Sequence, residues 1–153
     1  MRTFISTLLT FSVITLSAQN ETQRLKHFNV DKAHLALEGY DPISYFENKP
    51  VKGKSTLKLS DKGVVYYFVT QAHLDAFKKE PAKYEPQYGG WCAYAMGATG
   101  EKVSVDPLTY KVKDGKLYLF YNAFFNNTLP KWNANEAELK KKADAAWAKT
   151  INQ

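Results

Sequence analysis

The dipeptide Asp114-Gly115 constrains the fold of this chain more than any other feature of its sequence. It separates two runs rich in aromatic and aliphatic residues, 110–113 and 116–121. Asp-Gly is a preferred pair for the two-residue type I′ turn, whose backbone twist matches that of antiparallel strands. The sequence therefore predicts a β-hairpin here, and with it an antiparallel rather than a parallel sheet.

Further elements point to a mixed fold. A second hairpin is predicted over 55–69, with its turn at 61–63, followed by a helix over 71–80 that Thr70 caps and Pro81 ends. A C-terminal amphipathic helix is predicted over 136–150, because Leu139, Ala143, Ala146 and Trp147 recur at helical spacing. The expected fold class is α+β, a small antiparallel sheet of hairpins with two or three packed helices, one of them short and carrying Cys92 in its first turn.

The N-terminal residues have the pattern of a cleavable signal peptide. Arg2 is followed by an uncharged apolar run from Phe4 to Leu16 and then by small residues. We therefore expect a signal peptide over 1–18, a flexible tether over 19–33 and one domain over 34–150. The predicted location is periplasmic or secreted.

Composition narrows the range of partners. The net charge is +6, but the lysines are scattered, and the dense run Lys140–Lys142 falls on the solvent face of the C-terminal helix. An exported chain without an aromatic-basic platform is a poor candidate for binding nucleic acid. A weak association with an anionic surface is one interpretation of the charge, and an ordinary solvated face is the other.

Cys92 is the only cysteine, and it follows the pair Gly89-Gly90. In an exported protein a single cysteine forms no internal disulfide, so the thiol is buried and inert, paired between molecules, or available for chemistry. The sequence leaves these three alternatives open.

A soft-metal site is the sharpest hypothesis for this region. Met96 lies four residues after Cys92 on the same helical face, and His73 lies on the preceding predicted helix. Thiolate, thioether and imidazole are ligands that suit Cu(I), although another transition metal is also possible. The competing interpretation is that Cys92 and Met96 fill the core. A thiol enzyme with His73 as its base is a further alternative, but no third catalytic group accompanies the pair.

A binding loop is the second candidate site. Gly89 and Gly90 allow the backbone to approach a ligand closely, and Tyr88 precedes them. Tyr40 and Asp41 belong to the turn Gly39–Pro42, where the Asp41 side chain is expected to hydrogen-bond its own turn. An anion cradled by the backbone amides of the loop is one interpretation, although the loop lacks the Lys and Ser/Thr of a phosphate loop. A small molecule in a tyrosine-lined cleft is another, and a tyrosine-rich core is the competing explanation.

Several motifs occur together in an order that resembles the YHS domain family. They are Gly39–Phe46, Val65–Thr70, His73–Phe77, Pro81–Tyr84 and the run Gly89–Ala95. The chain is similar to the exported single-domain YHS proteins of bacteria, and the resemblance extends from about Leu35 to Trp147.

The resemblance implies a non-catalytic, metal-related binding module, with copper as the leading ligand. The YHS modules of copper-transporting ATPases carry extra cysteines, whereas this chain has Ile43-Ser44-Tyr45 and Val69 at those places. Their multi-cysteine site therefore does not carry over, and His73 alone corresponds to a family histidine. The alternative is a thiol-dependent, small-molecule or partner-binding domain without metal.

Overall fold

The computed structural model describes the backbone of residues 12–153 and the side chains of residues 20–153. Its helices are α1 (Ser12–His27), α2 (Gln71–Lys79), α3 (Pro81–Tyr84), α4 (Ala93–Ala98), α5 (Leu129–Ala134) and α6 (Glu136–Ile151). Its strands are β1 (Lys54–Asp61), β2 (Val64–Phe68), β3 (Asp106–Lys113), β4 (Lys116–Phe120), β5 (Asn122–Ala123) and β6 (Asn126–Asn127). The predicted α+β fold class is confirmed.

The strands form three separate antiparallel hairpins, β1–β2, β3–β4 and β5–β6. Both larger hairpins lie where the sequence predicts them, and Asp114 and Gly115 have φ angles of +51° and +69°, as a type I′ turn requires. The prediction of one small sheet is less accurate, because only isolated bridges join the neighbouring segments. Irregularities in β1 and β3 interrupt the regular pairing.

Strand β4 divides the hydrophobic interior into two clusters. Leu117 and Leu119 belong to the first cluster, with β2 and α2, whereas Tyr118 and Phe120 belong to the second, with α4, α5 and α6. Successive side chains of a strand point to opposite faces, so a strand that is apolar at four consecutive positions can serve both clusters. The largest buried side chain of the second cluster is Trp132.

The helices begin and end close to their predicted positions. Thr70 accepts a hydrogen bond from the His73 amide and so caps α2, which ends at Lys79. Pro81 then begins the short helix α3, where its missing amide hydrogen costs nothing. Cys92 lies at the N-cap of α4 rather than in its first turn, because its ψ angle of 116° is not helical. Helix α6 packs mainly on α4 rather than on a sheet.

The segment that we expected to be a flexible tether, 19–33, is largely built into the fold. Helix α1 continues to His27, and Arg24 forms an ion pair with Glu85. The Phe28 ring packs against Trp147 at 5.9 Å between centroids. These contacts join residues more than sixty positions apart, which local sequence patterns do not reveal.

The predicted signal peptide lies mainly outside the described residues, since only its last part, from Ser12, is seen as the start of α1. Within the part of the chain that the structure describes, no helix is both long enough and apolar enough to cross a bilayer.

Candidate functional site

Asp41 and His73 form a partly buried polar pair. The fully buried Asp41 carboxylate accepts hydrogen bonds from the amides of Ile43 and Val69, each at 2.8 Å. His73 Nδ1 lies 2.7 Å from Asp41 Oδ2, and its Nε2 lies 3.2 Å from Glu47 Oε1. The hydrogen bond to Ile43 is the side-chain turn that the sequence predicts for Asp41. Both nitrogens of the His73 ring are thus occupied by carboxylates, which join the turn to α2.

Cys92 makes a different set of contacts. Its thiol is fully buried, accepts a hydrogen bond from the Tyr121 amide at 3.3 Å and lies 3.4 Å from Thr128 Oγ1. The Cys92 amide donates to the Val103 carbonyl at 2.9 Å. The thiol therefore connects the start of α4 with the end of β4, beneath a hollow of about 300 Å³.

Met96 follows one helical turn after Cys92 and is fully buried in the second cluster. His73 does not join this pair through any hydrogen bond, because its partners are Asp41, Glu47 and Thr70. Among the described side chains, no group of three or more His, Cys, Asp and Glu residues is arranged to hold a metal ion.

The predicted binding loop has an unusual backbone. Tyr88, Gly89 and Gly90 all have positive φ angles, of +56°, +60° and +86°. Asn29 crosses the loop, since its amide donates to the Gly89 carbonyl and its side chain donates to the Gly90 carbonyl. A Cβ atom at Gly89 would lie 2.7 Å from the Trp147 ring. Close packing against Trp147 therefore explains why position 89 is a glycine.

The two tyrosines of the predicted site belong to different hydrophobic clusters. Tyr88 is buried, and its hydroxyl donates to Asp144 of α6 at 2.9 Å. Burial, reinforced by this hydrogen bond, raises the pKa of Tyr88. Tyr40 is half-buried, with its ring 6.5 Å from Tyr45 and with the Lys52 ammonium 5.2 Å from its centroid. Both side chains take part in packing.

One face of the loop borders a hollow of about 340 Å³, which we call the Gly90 hollow. Its lining comprises Asn29, Val30, Asp31, Leu35, Leu37, Glu38, Gly90, Ser104, Val105, Pro107 and Leu119. A second strained turn forms part of the wall, because Leu37, Glu38 and Gly39 have φ angles of +56°, +50° and +82°. Backbone strain of this kind is often retained at ligand sites.

The polar groups of the Gly90 hollow are mainly acceptors. Asp31 Oδ1 accepts from the amides of Ala33 and Leu35, and Oδ2 makes no hydrogen bond with any described residue. Glu38 is exposed and forms no ion pair within the described part of the chain. The described lining includes no lysine or arginine. The lining therefore carries two acidic side chains among apolar ones, and no described lysine or arginine offsets them within it.

Sequence reasoning found Gly90 but missed the rest of this lining. Asn29 and Asp31 fall in the segment that we expected to be a tether, and the apolar run Leu35-Ala36-Leu37 by itself suggests a short strand. In the structure this short segment makes only single bridges, Val30 with Ala36 and Leu35 with Val65, because the chain turns sharply from Leu37. No local pattern indicated that Glu38 would face a hollow.

Comparison with protein-family models, curated proteins and solved structures found no match to this chain. The features that bear on function are therefore those of the molecule itself: the Gly90 hollow, the Asp41–His73 pair and the buried thiol of Cys92.

Proposed function

We propose that the protein is an exported, non-catalytic binding module of the YHS kind that takes a small organic ligand in the Gly90 hollow. The ligand class is a molecule with a short apolar body and a cationic or hydrogen-bond-donating head. The proposal rests on the motif order Gly39–Phe46 to Gly89–Ala95 and on the chemistry of the hollow.

The charge of the lining is the observation that carries the ligand class. Asp31 and Glu38 supply negative charge, and Asn29 and Ser104 add polar atoms. Leu35, Leu37, Val105 and Leu119 supply the apolar wall. An ammonium group near two carboxylates gains Coulomb energy, and an alkyl chain gains by leaving water. An anionic ligand would meet repulsion from the same groups.

The contacts of Cys92 and His73 favour binding over catalysis. An activated cysteine needs a base within hydrogen-bond reach, which another group then orients. The Cys92 thiol instead meets a backbone amide and a threonine hydroxyl, whereas His73 is held by Asp41 and Glu47. Neither arrangement supplies a nucleophile with its base.

Titration with butylammonium, followed by amide chemical shifts, tests the proposal. We expect saturable shifts at residues lining the hollow, and much smaller shifts with neutral butanol. Glu38→Gln should weaken butylammonium binding by about tenfold, because it removes one of two nearby negative charges. Ser104→Phe should abolish binding by filling the hollow.

Glu80→Gln is the matched control, because Glu80 is an exposed carboxylate whose only charged partner in the described structure is Lys83. It should bind like the unmodified chain. Equal weakening by Glu38→Gln and Glu80→Gln would show that the hollow does not select the cation. Shifts that Ser104→Phe leaves unchanged would place the ligand elsewhere.

Cu(I) binding is the second candidate function. It is favoured by one observation, that Cys92 and Met96 lie one helical turn apart and are both fully buried. Thiolate and thioether are soft ligands that suit Cu(I). Anaerobic titration against a competing chelator should then show stoichiometric binding that Cys92→Ser abolishes. The site could also include His73, and His73→Ala tests this. Loss of binding would make His73 a third ligand, whereas retained binding would limit the site to Cys92 and Met96.

A further inference from the structure

The smallest hairpin, β5–β6, presents two phenylalanines to solvent. Asn122 pairs with Asn127 and Ala123 pairs with Asn126, so Phe124 and Phe125 form the two-residue tip. Phe124 is 91% exposed, and Phe125 is fully exposed. Burial of these rings in the protein interior therefore does not account for them.

The backbone conformation at the tip is also one that phenylalanine disfavours. Phe124 and Phe125 have φ angles of +50° and +60°, in the left-handed region that side-chain-bearing residues disfavour. A two-residue turn of this kind favours Asn-Gly or Asp-Gly, and the chain has Asp114-Gly115 at the tip of its larger hairpin. The Phe-Phe tip thus has a backbone cost without a packing gain within the described structure.

An exposed leucine and a lysine lie near the base of the tip. Leu108 is 57% exposed, and its neighbour Thr109 accepts a hydrogen bond from Asn122 at the base of the hairpin. Lys131 Nζ donates to Asn126 Oδ1 at 2.8 Å, which places an ammonium beside the tip. Along the chain from 115 to 135 the charged residues are Lys116 and Lys131, and the acid nearest to the base of the hairpin by hydrogen bonding is Asp106, which accepts from Thr109 Oγ1.

We propose that the Phe124-Phe125 tip inserts into the surface of an anionic phospholipid bilayer. The two rings enter the boundary between headgroups and acyl chains, where aromatic side chains partition favourably. Lys131 contacts lipid phosphates from the side of the hairpin. The net charge of +6 adds a longer-range attraction to the same surface.

The small size of the tip favours a bilayer over a protein partner. Two phenylalanines bury about 150–250 Å² each, whereas a specific protein interface buries about 800 Å² per partner. A narrow projection with two apolar side chains suits a fluid surface that closes around it. A second copy of the chain would need a larger complementary area than the tip provides.

Co-sedimentation with vesicles tests the proposal on the full chain. We expect binding to phosphatidylcholine vesicles that contain a minority of phosphatidylglycerol, and weaker binding to pure phosphatidylcholine or at high salt. The double variant Phe124→Asn with Phe125→Gly should bind at least about tenfold more weakly, because it removes both apolar rings. Its Asn-Gly tip suits the turn, so the fold should be retained, and circular dichroism checks this. Equal binding by both chains would overturn the proposal.

A dye attached to the tip distinguishes insertion of the tip from membrane binding by the apolar N-terminal residues. Cys92 is buried, so a polarity-sensitive dye coupled through maleimide should label only an introduced surface cysteine. Phe125→Cys should give a dye whose emission shifts to the blue with anionic vesicles, whereas Asp114→Cys at the other hairpin tip should not. Equal shifts at both tips would contradict insertion of this hairpin. Dimerisation without vesicles that the Asn-Gly tip abolishes would assign the tip to self-association and also overturn the proposal.

Discussion

Asp41 is a residue whose polar contacts join three segments of the first half of the chain. Its carboxylate is fully buried and accepts from the Ile43 and Val69 amides as well as facing His73 Nδ1. These partners belong to the turn, to the segment after β2 and to α2. A buried carboxylate is tolerated only when such partners satisfy it. Asp41 therefore fixes the position of the turn relative to the helix.

Asp41→Ala should lower the free energy of unfolding by about 3 kcal/mol, because two buried amides and the His73 ring lose their acceptor. Urea denaturation followed by circular dichroism measures the change. Asp75→Ala is the control, since Asp75 is exposed on α2 and accepts from Gln71 Nε2. We expect the control to change stability by about 0.5 kcal/mol or less. Similar losses for both variants would contradict the role given to Asp41.

At the scale of elements, α4 and α6 share the most extensive contact between two helices of the described structure. Gly97 of α4 faces the backbone of α6, and a Cβ atom at Gly97 would lie 2.5 Å from the Leu139 carbonyl oxygen. Helix propensity alone favours alanine over glycine by about 1 kcal/mol. Helix propensity therefore predicts that Gly97→Ala raises the free energy of unfolding, whereas the close contact with Leu139 predicts that it lowers it.

Gly97→Ala should lower the free energy of unfolding by about 2 kcal/mol, because the two helix backbones must separate to admit the methyl group. Thermal unfolding at neutral pH measures the change. Gly115→Ala provides the comparison, since a Cβ atom at Gly115 would meet nothing within 4 Å and only the φ angle of +69° opposes alanine there. That variant should lose about 1 kcal/mol. A stabilised Gly97→Ala protein would show that the helices adjust without cost.

For the whole molecule, Glu136 joins the C-terminal helix to the β3–β4 hairpin. Its carboxylate lies 2.9 Å from Lys111 Nζ and 2.6 Å from Lys113 Nζ, and it accepts from Trp132 Nε1 at 3.0 Å. Burial alone would raise its pKa, but the hydrogen bonds from Lys113, Lys111 and Trp132 outweigh burial and lower the pKa of Glu136 to about 2. The ionised form is thus strongly favoured in the folded protein.

The lowered pKa of Glu136 predicts a loss of stability in acid. The stabilisation by the ionised Glu136 is complete above the unfolded-state pKa of about 4.5. It disappears as the pH falls through the folded-state pKa of about 2. Glu136→Gln should lower the free energy of unfolding by about 2 kcal/mol at neutral pH. This difference should shrink steadily below pH 4.5 in urea denaturation. Glu138→Gln, on the exposed side of the helix, should show a smaller effect, and a pH-independent loss at Glu136 would contradict the charge argument.

Much of the local structure was predictable because it depends on neighbours in the chain. The Asp114-Gly115 turn, the cap at Thr70 and the periodicity of α6 are each decided within a few residues. Turn and cap preferences follow from backbone geometry and from hydrogen bonds over short separations. The side-chain turn of Asp41 belongs to the same class.

The candidate site was only partly predictable because its walls come from distant segments. Gly90 follows from its sequence context, but its pairing with Asn29 crosses sixty-one positions of the chain. The sequence also suggested that Cys92, Met96 and His73 share a site, whereas His73 is engaged by Asp41 and Glu47. Residue type alone does not reveal which partner a side chain meets after folding.

By itself, therefore, the sequence determined the α+β class, the two large hairpins and the extents of α2 and α6. Three features became visible with the tertiary structure: residues 24–30 pack against the body, β4 contributes to two clusters, and two acids belong to the lining of the Gly90 hollow. The difference follows from the distance along the chain over which each interaction acts. Backbone preferences act between near neighbours, while packing and hollow formation depend on the joint arrangement of segments far apart in the chain.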